Sequence, residues 1–210
     1  MGRYMRRSVL LVALLVILRF AGIAQEAAGG SNLRQYYGGK IGFYSPGDGL
    51  NDGLLFGIDG ITEFVRHNFF LSGALDVYYK QTFDFFKDPK PDVTSQSIVL
   101  LPLHANFGYK VLDISTADSR LYIGAGGGYY LYFYSVDYRT TSGGIIGSLV
   151  AKSDSRSGGN AFATFFARML IGKIFIEPRY YLASKKESSI ETHTFVVDPS
   201  GFAITLGFQY

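Results

Sequence analysis

Bulky apolar and small or polar side chains alternate without interruption through the last nine residues of the chain. Because successive side chains of a β-strand point to opposite faces, a period of two predicts a strand with one bulky apolar face. The small or polar positions between them form the other face. The bulky positions are Phe202, Ile204, Leu206, Phe208 and Tyr210.

The same alternation recurs along the chain after residue 24, where no segment shows the period of an amphipathic helix. Aromatic residues and glycine are abundant, with 16 Tyr, 18 Phe and 26 Gly, a composition typical of strands and tight turns. The sequence therefore predicts an all-β protein of eight strands. They cover residues 37–44, 54–65, 69–85, 98–112, 121–134, 161–170, 173–182 and 202–210.

The predicted connections alternate in length. Those after strands one, three, five and seven are long or polar (45–53, 87–97, 135–160, 183–201), whereas those after strands two, four and six are shorter (66–68, 113–120, 171–172). Outer-membrane barrels have short periplasmic turns and longer extracellular loops. With both termini in the periplasm, every long connection falls outside.

Two long connections contain further patterns. An apolar segment, Ile145 to Ala151, is expected either to contact a hydrophobic ligand, a partner or lipopolysaccharide, or to extend strands five and six as a hairpin above the bilayer. Residues 192–197 also alternate, which predicts that strand eight begins near Glu191 and bulges at residues 199–201.

The head of the chain has the features of a secretory signal peptide. Arg3, Arg6 and Arg7 precede an apolar run at residues 8–18, and small residues before Gln25 suit a signal peptidase. We expect cleavage between Ala24 and Gln25. The predicted domains are a signal peptide at 1–24, a short leader at 25–35 and a barrel at 36–210.

Charge and cysteine usage exclude several classes of function. The four arginines of residues 1–24 account for the net charge of +3, because the remaining chain has 16 Lys and Arg against 17 Asp and Glu. The chain after residue 24 therefore carries no basic excess for nucleic-acid binding. The absence of cysteine excludes disulfides and thiolate metal sites.

Charged side chains fall on one face of the predicted strands, opposite the bulky apolar face. If the apolar face meets lipid, these charges point into the barrel, and an eight-stranded interior is only wide enough for side chains to fill. We expect them to neutralise each other in a closed polar lumen. The predicted lumen network is Lys40, Asp59, Glu63, Asp76, Lys80, Asp84, His104, Lys110, Arg168, Lys173, Glu177 and Arg179.

Other candidate motifs have structural explanations. Gly124, Gly126 and Gly128 do not complete a nucleotide-binding loop, because position 129 is Tyr and the aromatic strand continues; we expect them to face inward and make room for Tyr or Arg side chains. The three histidines have no metal-ligand spacing. We expect neither a cofactor nor a metal. Because proline donates no ladder hydrogen bond, we expect a bulge at Pro178.

Three stretches resemble a known family. The closing strand with its terminal aromatic, the run Glu177-Pro178-Arg179-Tyr180-Tyr181 and the run from Leu121 to Gly126 are similar to the OmpX/OmpW-like outer membrane β-barrel domain superfamily. The resemblance covers residues 36–210. It implies an eight-stranded antiparallel transmembrane β-barrel in the bacterial outer membrane, and we expect it to be a monomer. In that family the bulky positions of the last strand form the signal read by the barrel-assembly machinery.

The resemblance also bears on the aromatic residues and on lipid. We expect tyrosines near predicted strand ends to lie at the membrane interface, where amphipathic rings are stable. These are Tyr36, Tyr37, Tyr132, Tyr134, Tyr180 and Tyr181. Outer-membrane lipid and lipopolysaccharide are the expected surroundings.

Three functions remain open for a barrel of this kind. The first is a structural or surface-interaction role, in which extracellular loops contact an unknown ligand or partner. The second is transport of small hydrophobic molecules, as in OmpW-like proteins. The third is modification of lipid A, but the deacylases of that type use a His and a Ser two residues apart, and His67, His104 and His193 lack that spacing. We therefore expect a protein that is not an enzyme.

Overall fold

The computed structural model describes residues 32–47, 50–81, 93–114, 118–141, 149–190 and 193–210. The predicted signal peptide, the cleavage position Ala24–Gln25 and Asp84 lie outside these residues. In the part of the chain that the structure describes, no helix is long and apolar enough to cross a membrane. The strands are β1 Leu33–Pro46, β2 Gly53–Phe64, β3 Phe69–Gln81, β4 Val93–Ile114, β5 Ser119–Thr141, β6 Leu149–Ile171, β7 Ile174–Ala183, β8 Lys186–Ile190, β9 His193–Val197 and β10 Gly201–Gln209, with a 3₁₀ turn at Val65–His67.

Eight antiparallel strands close into a barrel in the order β1-β10-β7-β6-β5-β4-β3-β2. The ring closes where β1 pairs with β10, from Gly38 opposite Gln209 to Pro46 opposite Gly201. Beyond this ladder, Tyr37 and Tyr210 exchange two backbone hydrogen bonds of 3.1 and 3.0 Å. The predicted number of strands and their antiparallel arrangement are confirmed.

The bulky positions of the strands face outward. In β10, Phe202, Ile204, Leu206 and Phe208 are about half exposed, while Ala203 and the other positions between them are buried. The same holds around the ring, where large apolar side chains cover the outer surface and charged side chains are buried inside. A water-soluble barrel would have the opposite arrangement, so this wall is built to contact lipid.

Three glycines on β5 allow the lumen to be filled. Gly124, Gly126 and Gly128 face inward, as predicted, but their neighbours are Phe166, Asn106 and His104 rather than Tyr or Arg. A Cβ on Gly128 would overlap the carbonyl oxygen of Leu103 and approach the His104 side chain. Side chains of β4 and β6 therefore lie directly against the backbone of β5.

The predicted bulge at Pro178 is wrong. The β6–β7 ladder keeps one register on both sides of Pro178, with Phe166 opposite Arg179 and Met169 opposite Ile176, and only the intervening positions are unpaired. Pro178 remains opposite Ile204 of β10. Since proline has no amide hydrogen, it interrupts one ladder without adding a residue.

Strands β4, β5 and β6 are much longer than predicted. Residues 135–160 were expected to be a connection, but β5 and β6 pair through this region up to Thr141 opposite Leu149. This confirms the hairpin alternative for residues 149–151, whereas 145–148 lie outside the described residues. The expected start of the last strand near Glu191 is wrong, because residues 193–197 form β9 and pair with β8 in a separate two-stranded sheet.

Substitution of Gly128 by Val should disturb the barrel. The added side chain overlaps the wall and His104, and overpacking of this kind costs about 1–3 kcal/mol. We expect a lower midpoint of urea unfolding in lipid vesicles and less of the compact form in unboiled gels. The control is Gly73→Val, since a Cβ on Gly73 meets nothing within 4 Å. Equal effects of the two substitutions would contradict the packing described for β5.

Candidate functional site: the filled lumen and the projecting sheet

The centre of the lumen contains a buried ion network around Glu177 of β7. Arg168 on β6 donates from Nε to Glu177 Oε2 over 2.6 Å and from Nη2 to Asp59 on β2. Arg179 donates from Nε and Nη2 to Glu177 Oε1, over 3.0 and 2.8 Å. One carboxylate therefore receives hydrogen bonds from two guanidinium groups, and a second carboxylate shares one of those groups. Charge-assisted bonds of this kind are the strong ones in proteins.

Asp76 of β3 is the second centre of the network. Lys40 Nζ lies 2.9 Å from Asp76 Oδ1, and Tyr181 donates to Oδ2 over 2.7 Å. The Nε2 atom of His104 lies 3.0 Å from the same Oδ2 atom. Asp76 is thus surrounded by partners from β1, β4 and β7, which ties distant parts of the ring together.

Neutral side chains complete the network. Arg179 Nη1 donates to Asn106 Oδ1 over 2.8 Å and to Thr164 Oγ1 over 3.0 Å, and Asn106 in turn donates to Ser72. With His104 neutral, the three cations and three carboxylates of the network cancel. The cations are Lys40, Arg168 and Arg179, and the carboxylates are those of Asp59, Asp76 and Glu177.

Aromatic rings flank the guanidinium groups. Arg168 lies 4.2 Å from the ring centre of Phe175, and Arg179 lies 4.7 Å from that of Phe166. A cation over a ring face is attracted by the ring quadrupole, most strongly where water is excluded. Both rings are themselves buried, so the guanidinium groups lie in a part of the lumen that is packed with side chains.

The outer half of the lumen is aromatic and apolar, which the sequence analysis did not predict. Val197, the last residue of β9, is fully buried in this layer, and Tyr44 donates to the carbonyl oxygen of Pro199. The connection between β7 and β10 therefore folds over the outer mouth. Members of the layer include Tyr44, Leu55, Tyr78, Ile98, Leu100, Tyr130, Tyr132, Tyr134, Phe162, Tyr181 and Val197.

This layer corrects the expected positions of the tyrosines. Tyr132, Tyr134 and Tyr181 are buried inside, and Tyr36 is half-buried on the inward face. Only Tyr37 and Tyr180 of the six are exposed on the outer wall. Strand ends alone do not specify a face, because the even and odd positions of one strand end lie on opposite sides.

A second charged group lies at the periplasmic end of the lumen. Tyr122 donates to Glu63 Oε1 over 2.8 Å and Tyr36 donates to Oε2 over 3.3 Å. The side chains of Lys110 and Arg120 approach Glu63 within 3.8 and 3.7 Å. The lumen thus has polar groups at its centre and periplasmic end, and aromatic groups in its outer half.

The structure brings together seven members of the predicted network: Lys40, Asp59, Asp76, His104, Arg168, Glu177 and Arg179. Glu63 and Lys110 form the periplasmic group instead. Lys80 lies at the outer end and donates to the Asp52 carbonyl oxygen over 2.6 Å. Lys173 is a wrong prediction, because it lies exposed in the two-residue turn after β6, where Gly172 takes a left-handed conformation.

The network members that the sequence analysis missed are neutral. Asn106, Thr164 and Ser72 lie at the inward positions of their strands, and this parity is the signal that could have identified them. In the described ranges, no group of three His, Asp or Glu side chains could hold a metal ion.

A sheet of three strands projects beyond the outer end of the ring. The ladder between β6 and β7 ends at Phe162 opposite Ala183, and Gln81 opposite Ser97 is the last β3–β4 pair among the described residues, which resume at Val93. Strands β4, β5 and β6 continue past these points and remain paired with each other. We call the part formed by residues 93–96, 135–141 and 149–161 the projecting sheet. In the part of the chain that the structure describes, no ladder lies along its β6 edge on the β7 side.

The barrel has an apolar outer wall, a closed ring of antiparallel strands and charges buried inside its lumen. The chain is a transmembrane β-barrel of the outer-membrane type. The bacterial outer membrane is the bilayer in which barrels of this type reside, with the short turns of the barrel on its periplasmic side.

No protein-family model and no curated protein matches the sequence. Several solved structures are similar to the barrel. The attachment invasion locus protein Ail of Yersinia pestis is 12% identical, with 85% of this chain and 97% of that chain covered and a TM-score of 0.44. Neisserial surface protein A is 13% identical, with 85% and 96% covered and a TM-score of 0.45. A major outer membrane protein of Thermus thermophilus is 10% identical, with 84% and 100% covered and a TM-score of 0.46. Likeness at this level carries no information on activity.

Replacement of Arg168 by Met should strongly destabilise the barrel. It removes the Asp59 partner found among the described residues and one partner of Glu177, and breaking a buried ion pair costs about 3–5 kcal/mol. The measurement is the free energy of unfolding by urea in lipid vesicles. The control is Arg156→Met, an exposed residue paired with Asp154, for which the expected loss is below about 1 kcal/mol. Similar losses in both variants would show that the lumen network does not hold the strands together.

Proposed function

We propose that the protein is a non-enzymatic surface-interaction protein, and that the projecting sheet is the part that contacts partners. The observation that carries this proposal is the long paired extension of β4, β5 and β6 beyond the ring. A barrel that served only as a membrane anchor would need no such extension. Loops and extensions on a rigid scaffold are where binding surfaces are concentrated.

The free edge of β6 supports this role. Among the described residues, the β6–β7 ladder stops at Phe162 opposite Ala183, so residues 149–161 form an edge of the projecting sheet on that side. Such an edge accepts an additional strand from another polypeptide. Exposed Lys152 and Arg156 on the edge strand keep it from pairing indiscriminately, since charges on edges oppose aggregation. The partner class that fits is an extended segment of a protein outside the cell.

The filling of the lumen supports a role other than conduction. The ion network occupies the centre, the aromatic layer fills the outer half, and Val197 of the β7–β10 connection is buried in that layer. Passage of a solute would require several buried ion pairs to break. Transport through the lumen therefore has no supporting observation in the described part of the chain.

A shortened barrel tests this proposal. Because Val136 lies opposite Asp154, residues 137–153 can be replaced by Asn-Gly, which forms a two-residue hairpin turn. We expect the variant to form the same heat-modifiable barrel and to lose binding of fluorescent proteoliposomes to arrays of immobilised extracellular-matrix and bacterial surface proteins by at least tenfold. Neither protein should conduct ions in planar bilayers. Equal binding by both proteins, or conductance by the wild type, would refute the proposal.

We also propose that the outward face of β10 is the signal for the barrel-assembly machinery. Phe208 and Tyr210 lie at the ring closure, with the Tyr210 ring 6.4 Å from that of Tyr37, and both are exposed on the outer wall. A partner that inserts the barrel can therefore reach them, and Tyr210 pairs with β1 only when the ring closes.

Substitution of both Phe208 and Tyr210 by Ser should impair insertion while export continues. The measurement is the ratio of outer-membrane to periplasmic protein in fractionated cells, with an expected fall of several-fold. The control variant, Phe56→Ser with Ile58→Ser, removes similar exposed apolar groups from β2. If both variants insert equally, the change in insertion is caused by the loss of apolar groups that face lipid, and the proposal of a terminal signal is wrong.

A further inference from the structure

An apolar groove crosses the lipid-facing wall between β4 and β10. Its volume is about 560 Å³. Ala125, Ala167 and Pro178 form its floor, which continues at the outward position of Gly127 on β5. Its walls are Phe107, Ile123, Phe165, Tyr180 and Phe202.

The pairing register explains the shape of the groove. Phe107, Ala125 and Phe165 lie opposite one another on consecutive strands, so a methyl group stands between two rings. In the next row, Ala167 lies beside Ile123, and the ladder is interrupted between Ala167 and Pro178. The low floor thus coincides with the break in the β6–β7 ladder, and it runs obliquely to the strands across two rows.

The groove lies in the part of the wall that faces hydrocarbon. Ile123, Phe165 and Phe202 are about half exposed, as are the other bulky groups of the outer face. Arg179 also borders the groove, but its guanidinium is bound to Glu177, Asn106 and Thr164 inside the lumen. The surface offered to an occupant is therefore apolar.

We propose that this groove binds one acyl chain of an outer-membrane phospholipid in a fixed position. At Ala125 the occupant has to be narrow, because a single methyl group there separates the Phe107 and Phe165 rings, whereas a helix is about 10 Å across and sheets pack about 10 Å apart. An acyl chain has a suitable width and is present at this depth.

The attraction is one of packing, since apolar surface gains nothing by leaving an apolar solvent. A chain in the groove contacts the floor and both walls, whereas a chain on the convex wall contacts one side. Dispersion contacts are individually small and add up over such a surface. The aromatic walls restrict the motion of the chain, so the bound lipid should exchange slowly with the surrounding bilayer.

Native mass spectrometry tests the proposal. The wild-type barrel is reconstituted in vesicles of palmitoyl-oleoyl phosphatidylglycerol and phosphatidylcholine, extracted with mild detergent and washed. We expect one retained phospholipid per barrel. The double variant Ala125→Phe with Ala167→Phe fills the groove, and its lipid occupancy should fall at least tenfold. Ala125→Leu, a smaller change that serves if the double variant fails to fold, should reduce occupancy by at least threefold.

The matched control is Gly73→Phe, an added ring on the outer wall where a Cβ meets nothing within 4 Å. It should retain the lipid as the wild type does, and gel mobility before and after boiling confirms folding in each case. Three results would overturn the proposal: no lipid on the wild type, unchanged occupancy in folded groove variants, or equal loss in the control. A dimer that disappears in the groove variants would also overturn it, because the occupant would then be a second copy of the chain.

Discussion

The cancellation of charge inside a narrow lumen is the constraint on which the other features depend. Eight strands leave room for side chains and little else, so the inward-facing ions have to find each other within that space. Glu177 and Asp76 do this by binding partners from β1, β4, β6 and β7. A buried ion that lost its partner would be costly, whereas the paired ions hold the ring in one register. The glycines of β5 and the rings around Arg168 and Arg179 are arranged to make that pairing possible.

The boundary of the membrane divides the molecule into two regions that differ in the side chains they can present on the outer face. Within the ring, each strand has to present an apolar group to lipid at every second position. Beyond the ring, water can form hydrogen bonds with the polar groups of the backbone and side chains. Serine, glycine and charged residues are therefore tolerated there. The projecting sheet keeps the pairing of the barrel and loses its apolar outer face, as Ser153 and Ser155 on β6 illustrate. A stiff wall and a variable extension are thus made from the same strands.

The sequence predicted the ring well because lipid imposes a strict alternation. The faces of β3, β7 and β10 and most of the lumen network follow from that alternation together with the rarity of buried charge. The extension was missed because the stretch from Lys152 to Gly159 has a loop-like composition, and only its pairing with the tyrosine-rich half of β5 makes it a strand. The position of Lys173 was predicted wrongly because the turn at Gly172 includes Lys173, so that β7 begins one residue later than predicted. The covering of the outer mouth by the β7–β10 connection depends on tertiary contacts that no local pattern encodes.

The pairing of Tyr37 with Tyr210 has a consequence for the order of folding. These residues lie near the first and last positions of the barrel, so the contact that completes the ring closes a loop of almost the whole domain. Hairpins between consecutive strands can form early, but this contact requires all of them. Contacts between distant parts of a chain are slow to form because the loop entropy is lost first. Until then the chain has two unpaired edges, a state prone to aggregation. The time spent in that open state, more than the stability of the finished barrel, then determines how much help the chain needs on its way into the membrane.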